Sequence, residues 1–259
     1  MSSQNRLRGL CIKASPLGEN DRLLTILSEE KGITRLAARG ARRPKSSLIA
    51  ATPITLLELQ IFGRKNLKTI RQMKIIKSYN GIGKSIACLS AAQAITEITF
   101  LLVGNDDAQN NYLSTVLIHL DRIYDHQTQD TEDIKILSIC IQSIVHLLAI
   151  GGISLPLHFC CKTGRPINPP LGNWDWFCNF IPNEGFTPDD DPNSLLKINA
   201  SEMALLQRLL FSELPIKSNG DLLGPKKVWL RLLTIIESWI NSQLGKELSS
   251  LKIIRELYK

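Results

Sequence analysis

Two patterns of hydrophobic residues divide this chain near residue 80. Before that point, short apolar stretches alternate with polar positions and are separated by turn signals such as Gly18 and Gly32, which is typical of β-strands. After that point, apolar residues recur every three or four positions, which is typical of helices packed on one another. We therefore expect two domains, residues 1–80 and 81–259.

The first domain is predicted to be a small β-barrel. The expected strands cover residues 6–14, 22–28, 33–39, 54–61 and 67–77. Five short strands in about 75 residues is the size of a closed barrel, and the five-stranded OB-fold is the commonest barrel of that size that binds nucleic acid. A different small barrel is the alternative.

The second domain is predicted to be all-helical, with a loop-rich insert at residues 155–192 that is dense in proline. Ser85 is expected to cap the first helix, Gly151 and Gly152 to end the third, and Pro225 to open the fifth. The expected helical stripes cover 95–102, 113–123, 134–148, 201–211 and 225–239, before a short tail helix. The fold class is therefore α+β, a barrel followed by helices.

Composition adds the compartment to this picture. With 44% hydrophobic and 21% charged residues, the chain has the composition of an ordinary folded protein, which excludes disordered and collagen-like classes. The first twenty residues contain no signal-peptide core, and the most apolar stretch, 134–150, is polar at several positions and shorter than the ~20 residues that cross a bilayer. We expect a cytoplasmic protein with no membrane contact.

The positive charge is concentrated in the first domain. The whole chain carries +7, but residues 1–80 hold 16 basic and 5 acidic side chains, a net charge of +11, so the remainder is acidic. An excess of this size in a short segment predicts a polyanionic partner, most simply a nucleic-acid backbone. The alternative is a solvent-exposed charged face that only increases solubility.

Arginines mark where that backbone is expected to bind. Arg35 and Arg39 share one face of the third strand, because side chains alternate along a strand. Further cations follow in the next loop and on the last hairpin, where Lys74 and Lys77 extend the group. The candidate nucleic-acid-binding residues are Arg35, Arg39, Arg42, Arg43, Lys45, Arg64, Lys65, Lys68 and Arg71.

Aromatic residues are scarce in the same domain, where Phe62 and Tyr79 are the only two. Proteins that bind single strands by stacking lay successive bases on several rings. We therefore predict that this domain binds the sugar and phosphate groups of a nucleic acid. Its affinity should depend steeply on salt and little on base sequence. Bases left free in this way could still pair with a second strand, which is a physical basis for annealing.

No catalytic or cofactor signature stands out, and we expect neither an enzyme nor a bound cofactor. The segment 81–85 is similar to a phosphate-binding loop but has Ser78 where the motif needs glycine. The acidic run 189–191 could serve a metal-assisted nuclease, although such a run beside a proline is more often a solvated loop.

Metal binding and histidine chemistry are also not expected. His158, Cys160, Cys161 and Cys178 do not follow the spacing of paired zinc ligands. We interpret the three remaining histidines, His119, His126 and His146, as surface or packed residues. We interpret Trp174 and Trp176 as residues that fold the insert onto the helical core.

Three segments resemble the bacterial RecO family of DNA repair and recombination-mediator proteins. The N-terminal part of the resemblance is carried by GENDRLLTILSEEKGITRLAARGARRPKSSL (18–48) and PITLLELQIFGRKNLKTI (53–70). The chain end, LGKELSSLKIIREL (244–257), resembles the family's C-terminal tail. The resemblance covers essentially the whole chain.

The resemblance implies an OB-fold that binds single- and double-stranded DNA, a helical C-terminal domain, and annealing without ATP. It also implies recombinase loading onto coated DNA, with RecR and single-stranded DNA-binding protein as partners. Many members carry a four-cysteine zinc module, from which this chain departs, so we expect the aromatic segment 172–177 to pack in place of the metal.

The acidic tail of the single-strand binding protein would need a basic pocket in the helical domain. Lys226, Lys227 and Arg231 on the first turns of the Pro225 helix are the candidates, although they could equally be ordinary surface charges. The alternative function is an RNA-binding OB module in translation or RNA processing, which the same charge distribution would fit.

Overall fold

The computed structural model of the chain describes residues 5–63, 67–104, 111–126 and 133–259. Within these ranges, no helix combines the length and the hydropathy needed to span a bilayer.

The N-terminal region is a closed five-stranded barrel, which confirms the expected OB-fold architecture. Its strands follow the ring order β1-β2-β3-β5-β4, and β1 pairs with β4 to close it. The β3–β5 pairing is parallel, and the others are antiparallel. The strands are β1 (Asn5–Leu17), β2 (Asp21–Ser28), β3 (Gly32–Ala38), β4 (Thr55–Phe62) and β5 (Lys68–Ser78).

The barrel interior is filled by inward side chains and plugged by one loop. Leu24, Leu36 and Leu59 lie in a buried cluster of their own, and the loop between β3 and β4 adds Ala41 and Leu48 to it. These two apolar loop residues therefore extend the buried core of the barrel. The barrel thus has its own core.

Gly9 allows β1 to cross closely over β2. A Cβ at this position would lie 2.5 Å from Ile26 Cγ2 and 2.5 Å from the Leu27 carbonyl oxygen. A side chain there would collide with the backbone, so only glycine permits this approach. The close crossing lets β1 pair with β4 through its first half and with β2 through its second.

The C-terminal region is mainly helical, and its caps match several expectations. Ser85 caps α1 by accepting from the Cys88 backbone N–H at 3.4 Å, and α3 ends at Gly151, as predicted. Pro225 is the N-cap rather than the first helical residue, so that helix begins one residue later than expected. The helices are α1 (Ile86–Leu102), α2 (Tyr112–Asp125), α3 (Ile134–Ile150), α4 (Ala200–Arg208), α5 (Lys226–Leu244) and α6 (Ser249–Leu257).

The insert and the residues directly after it contain a small sheet that the sequence analysis did not place. Strands β6 (Phe177–Ile181), β7 (Gly185–Thr187) and β8 (Leu196–Asn199) form a three-stranded antiparallel sheet. Phe180 and Phe186 are fully buried on it and join the helical core. Strands of three to five residues carry too few alternating positions to be read from sequence among so many prolines.

Packing of the aromatic segment 172–177 differs from expectation at two positions. Trp176 packs against the core as predicted, but Trp174 is 83% exposed, so its prediction as a packed residue was wrong. Phe177, the first residue of the central strand β6, is also exposed. The segment therefore anchors the insert through one tryptophan and leaves the other in solvent.

The barrel and the helices share a continuous hydrophobic core. Outward residues of the barrel such as Leu10, Leu27 and Ile33 are buried in the same cluster as α1, α2 and α3. At the same boundary, the Ile33 backbone N–H donates to the Gly104 carbonyl at 3.0 Å. Helices cover this part of the barrel surface and leave the rest of it open.

Candidate nucleic-acid interface

The outward faces of two barrel strands change from apolar to cationic along their length. On β3, Ile33 is buried under the helices, whereas Arg35, two residues on, is exposed. On β1 the order is reversed, because exposed Arg6 and Arg8 precede buried Leu10. The apolar part of each row docks on the helices, so the cationic part necessarily faces solvent.

The loop after β3 is held against the β1–β2 turn. Gly40 adopts a φ of 69°, and its N–H donates to Asp21 Oδ1 at 2.7 Å. The backbone N–H of Arg42 donates to the Asn20 carbonyl at 2.9 Å, and its guanidinium to the Gly18 carbonyl at 3.1 Å. These bonds fix the loop backbone, so its cations project from a defined surface.

Sequence reasoning missed one arginine that supports this loop. Arg22 on β2 donates through Nη1 to the Ile49 carbonyl at 3.2 Å and to the Ala51 carbonyl at 3.4 Å. It therefore ties the second half of the same loop to the barrel wall. Only the tertiary structure brings this strand residue to the loop carbonyls, since 27 residues separate Arg22 from Ile49.

Of the predicted residues on β5, Lys68 lies beside the end of β3. Parallel pairing sets Leu36 beside Lys68 and Ala37 beside Thr69, so β5 begins next to the end of β3. Lys68 is half-buried there, and Arg71 is exposed at an irregularity in the β4–β5 pairing. Arg64 and Lys65 lie outside the described residues. The exposed cations of β3 and its following loop, called here the arginine-loop surface, are Arg35, Arg39, Arg42, Arg43 and Lys45.

The cationic side chains of the barrel are available to a ligand because no carboxylate of the barrel neutralises them in the described part of the chain. Among the described residues, no ion pair joins two side chains of the barrel. Lys77 is the exception to this availability, since its Nζ lies 2.6 Å from Asp121 Oδ1 on α2. It therefore joins barrel to helix, although it belongs by sequence to the cations of the last strand.

Aromatic side chains contribute little to this surface. Tyr79 is buried at the helix boundary, where its hydroxyl donates to Asp121 Oδ1 at 2.5 Å, and burial raises the pKa of this phenol above its usual value. Phe62 is 47% exposed at the end of β4. One accessible ring cannot stack a run of bases, so affinity has to come from contacts with phosphate and sugar.

Of the three residues predicted for partner binding, Arg231 already has a carboxylate partner. Arg231 is held by Glu202, with its Nε 2.6 Å from Oε1, and it also donates to the Lys197 carbonyl. Glu202 is buried and completes the capping box of α4 with Asn199. Lys227 is exposed and Lys226 is half-buried. Arg231 therefore has a structural role at this position.

A cavity of about 400 Å³ lies beside the start of α5. Arg208 borders it, is exposed, and has no ion pair in the described part of the chain. Lys227 lies on the same helix start. The apolar lining consists mainly of Leu171, Leu205, Leu223, Pro225 and Val228.

The cysteines of the insert are packed rather than grouped with other ligands. Burial would raise the pKa of the Cys160 thiol, but hydrogen bonds with Thr163 and Thr187 outweigh it and lower the pKa. Burial raises the pKa of Cys178 to about 12. Across residues 5–63, 67–104, 111–126 and 133–259, no three His, Cys, Asp or Glu side chains converge as metal ligands.

The acidic run 189–191 is engaged locally. Asp190 accepts from Lys197 at 2.7 Å, and Asp191 caps the Asn193 backbone N–H at 2.8 Å while lying 3.2 Å from Lys162. Hydrogen bonding to these partners lowers the pKa of both carboxyls. These contacts fit the solvated-loop interpretation of the run.

Two histidines form a buried pair between α2 and α3. His119 Nε2 and His146 Nδ1 are 3.1 Å apart, and His146 Nε2 lies 2.9 Å from the Leu209 carbonyl. Since a carbonyl only accepts, His146 is assigned as the Nε2–H tautomer and His119 as the donor to it. Burial, followed by the charges of His146 and Arg122, lowers the pKa of His119 to about 3.

Comparison with known proteins agrees with this architecture. The family model described as recombination protein O N terminal matches residues 1–79, and the one described as recombination protein O C terminal matches 84–252. The chain is 48% identical to the DNA repair protein RecO of Prochlorococcus marinus (strain MIT 9303) over 257 residues, covering 99% of this chain and 96% of that protein. It is 46% identical to the protein of that name from Synechococcus sp. (strain WH7803), covering 99% and 95%. A more distant relative from Trichodesmium erythraeum is 28% identical over 98% of this chain.

Proposed function

This chain belongs to the RecO family of DNA repair proteins, and from that premise we propose that its barrel holds single-stranded DNA by the phosphates and anneals complementary strands. The family acts in DNA repair and recombination and is not a family of catalytic enzymes. The observation that carries the proposal is the unpaired arginine-loop surface. Its five cations are all exposed beside a fixed loop backbone.

The proposed annealing follows from the part of DNA that this surface can bind. Guanidinium groups bind phosphate oxygens in a bidentate manner, and such contacts carry no base sequence. Because the surface offers no row of aromatic rings, bound bases keep their pairing edges free. Cations that screen the repulsion between two strands then lower the barrier to duplex formation without ATP.

We test annealing with complementary oligonucleotides coated with the cognate single-stranded DNA-binding protein. The reaction is run without nucleotide and across a range of salt concentrations. Wild-type protein is expected to accelerate duplex formation, and the acceleration should fall steeply as salt rises. Annealing that persists unchanged in high salt would contradict binding through phosphates.

Replacing the five cations of the arginine-loop surface with glutamine isolates the surface. We expect single-strand affinity to fall by on the order of 100-fold or more, and the log–log salt slope to decrease by about 3 to 4, at about 0.7 per lost phosphate contact. A matched control replaces exposed cations of the helical region, Lys135, Lys217 and Lys246, and should leave affinity within about twofold. Equal losses in both variants would reject the arginine-loop surface as the site.

An RNA-binding module is the competing function. Competition between RNA and DNA of matched sequence separates the two, because proteins that select RNA use the 2′-hydroxyl. We expect DNA to compete at least as well as RNA. A strong preference for RNA would favour the alternative.

We further propose that the helical region docks protein partners during recombinase loading. RecR and single-stranded DNA-binding protein are the expected partners, and DNA engagement would bring the protein to the nucleoid. The cavity beside α5 suits the acidic tail of the single-strand binding protein, since Arg208 borders its mainly apolar lining and Lys227 lies in the first turn of the helix next to it. Arg231 is left out of this refined site because Glu202 already pairs with it.

The tail site is tested with the double variant Lys227→Glu and Arg208→Glu. Binding of the acidic tail peptide should weaken at least tenfold, while DNA affinity stays within about twofold. The control is Lys217→Glu with Lys246→Glu, which makes the same charge change elsewhere on the helical region. Unchanged peptide binding in the first variant would place the tail elsewhere.

A further inference from the structure

The barrel presents a second outward group of charged and amide side chains on β1, β4 and β5. The cross-strand pairs are Arg6 with Gln60, Gln60 with Gln72, Arg8 with Glu58, and Glu58 with Lys74. These six residues are called here the β1–β4–β5 face. Arg6, Gln60 and Lys74 also border a groove of about 230 Å³.

This face is separate from the arginine-loop surface because of the strand order. In the ring β1-β2-β3-β5-β4, the β1–β4 pair lies across the barrel from β3, and β5, which carries Gln72 and Lys74, lies between β4 and β3. Outward side chains of β3 and of β1 therefore point away from each other. Arg6 and Arg8 thus lie on the side of the barrel opposite Arg35.

Cations of the β1–β4–β5 face are exposed and uncommitted. Arg6, Arg8 and Lys74 make no hydrogen bond or ion pair in the described part of the chain. Glu58 is half-buried between Arg8 and Lys74 in the register, yet it forms no ion pair with either. The face therefore keeps a net positive charge of available groups.

Spacing on this face fits an extended polyanion. Arg6 and Arg8 are two residues apart on one strand, which separates their Cα atoms by about 7 Å. Lys74 is two strands away from Arg8, about 10 Å across the sheet. The amides of Gln60 and Gln72 add hydrogen-bond donors between them, of the kind that contact phosphate and sugar.

The chemistry of the face favours a nucleic-acid strand over a protein. Protein interfaces concentrate their affinity in buried aromatic or aliphatic anchors. The six residues of this face include no such anchor and offer cations and amides instead. Cations and neutral donors are sufficient for a sugar–phosphate backbone, whose binding is dominated by charge.

We infer that the β1–β4–β5 face binds the backbone of a second single strand, so that one chain holds two strands on opposite sides of one barrel. The inference rests on the proposed annealing function and deepens it. Two binding surfaces on one molecule bring the second strand to a high effective concentration near the first. Delivery of the second strand then does not require a second protein molecule.

A bridging experiment tests the second surface directly. One biotinylated oligonucleotide is immobilised, saturated with full-length protein, and washed, and capture of a labelled non-complementary oligonucleotide is then measured. The test variant carries Arg6→Gln, Arg8→Gln and Lys74→Gln, and the control carries Lys135→Gln, Lys217→Gln and Lys246→Gln. Non-complementary strands are used so that capture reports protein contacts rather than base pairing.

We expect the test variant to capture the second strand at least tenfold more weakly, with first-strand affinity within about threefold of wild type. The log–log salt slope of second-strand capture should fall by about 2, at about 0.7 for each of three lost contacts. The control should behave as wild type. Capture within twofold of wild type in the test variant would overturn the inference, as would an equal loss of first-strand affinity.

The variant Glu58→Gln should increase second-strand capture, and a misfolded protein would not produce such an increase. Removing the carboxylate between Arg8 and Lys74 should strengthen second-strand capture by about two- to fivefold, because a repulsive charge is lost. Glu29→Gln is the matched control, since Glu29 is exposed at the β2–β3 turn of the same barrel. No gain with Glu58→Gln, or an equal gain with Glu29→Gln, would contradict a strand on this face.

The outcomes separate the two proposals. If wild-type protein captures a second strand through this face but does not anneal complementary strands, the proposed function fails and the second surface stands. If wild-type protein anneals while the triple variant captures as wild type does, the second surface fails and the proposed function stands.

Discussion

The barrel and the helical region differ in how many of their cations are paired with carboxylates. In the helical region, cations such as Arg231, Arg255 and Lys162 are paired with carboxylates of the same region. In the barrel, the described cations have no carboxylate of the barrel within ion-pair distance, and only Lys77 reaches an acid, on α2. Paired charges stabilise local structure, whereas unpaired ones remain available for a ligand.

This difference shows that net charge alone does not locate a binding surface. The helical region carries many Lys and Arg side chains, but its acids neutralise the group and hold several of them in place. In the barrel the acids are few, and strand geometry points the cations outward.

Arg231→Gln should destabilise the protein without affecting DNA. The change leaves the buried Glu202 carboxylate without its cation, which we expect to lower the free energy of unfolding by about 2 to 4 kcal/mol. Urea unfolding and single-strand affinity are measured together. The matched barrel variant Arg35→Gln should lose affinity and keep its stability within about 0.5 kcal/mol. If both variants lose stability alike, the contrast between the two regions is wrong.

Acid should weaken the helical region and spare the barrel, which contains no histidine. The folded pKa of His119, about 3, lies below the unfolded value near 6.5, so its contribution to stability is complete above pH 6.5 and is lost as pH falls. Between pH 7 and pH 5 we expect a loss of about 1 to 2 kcal/mol in the free energy of unfolding. His119→Asn should flatten that dependence in chemical-denaturation curves. An equally steep curve in the variant would assign the loss to other groups.

Asp121→Asn should loosen the link between barrel and helices only slightly. The ion pair with Lys77 is partly exposed at 39% and 43%, so its removal should lower the free energy of unfolding by about 0.5 to 1 kcal/mol. The difference from wild type should shrink in high salt because the pair is screened. A difference that is independent of salt would mean that the Tyr79 hydrogen bond, and not the charge, holds the boundary.

Trp174→Ala should change stability least, by less than about 0.5 kcal/mol, because the side chain is 83% exposed. Trp176→Ala is the contrast, since Trp176 packs against the core and should give a clearly larger loss. Thermal unfolding of the two variants measures the difference. Equal losses would contradict the exposed position of Trp174.

The barrel was predictable because its chemistry is local. Alternation of apolar and polar residues gave strand positions close to those in the structure, and the row containing Arg35 follows from the same period of two. Capping residues such as Ser85 and Gly151 were also readable, since a cap depends on a few neighbouring positions. The β6–β8 sheet was missed because its strands are too short for a periodic signal.

The role of a residue could not be predicted from the sequence where that role depends on a partner far away along the chain. Arg231 and Lys227 have similar sequence surroundings, yet only Arg231 meets Glu202, 29 residues away. Arg22 and Arg35 likewise differ only in what the fold brings near them. The exposed Trp174 and the packed Trp176 differ by two positions in one loop, and no local pattern distinguishes them.

By itself the sequence determined the barrel, the main helices and the concentration of positive charge in its first 80 residues, because backbone periodicity and composition are properties of neighbouring residues. The tertiary structure alone decided which cations are neutralised and which point to solvent, since an ion pair requires two side chains that the chain order keeps apart. It also decided that Arg8 and Lys74 share one face, because strand pairing, not sequence distance, sets them on either side of Glu58.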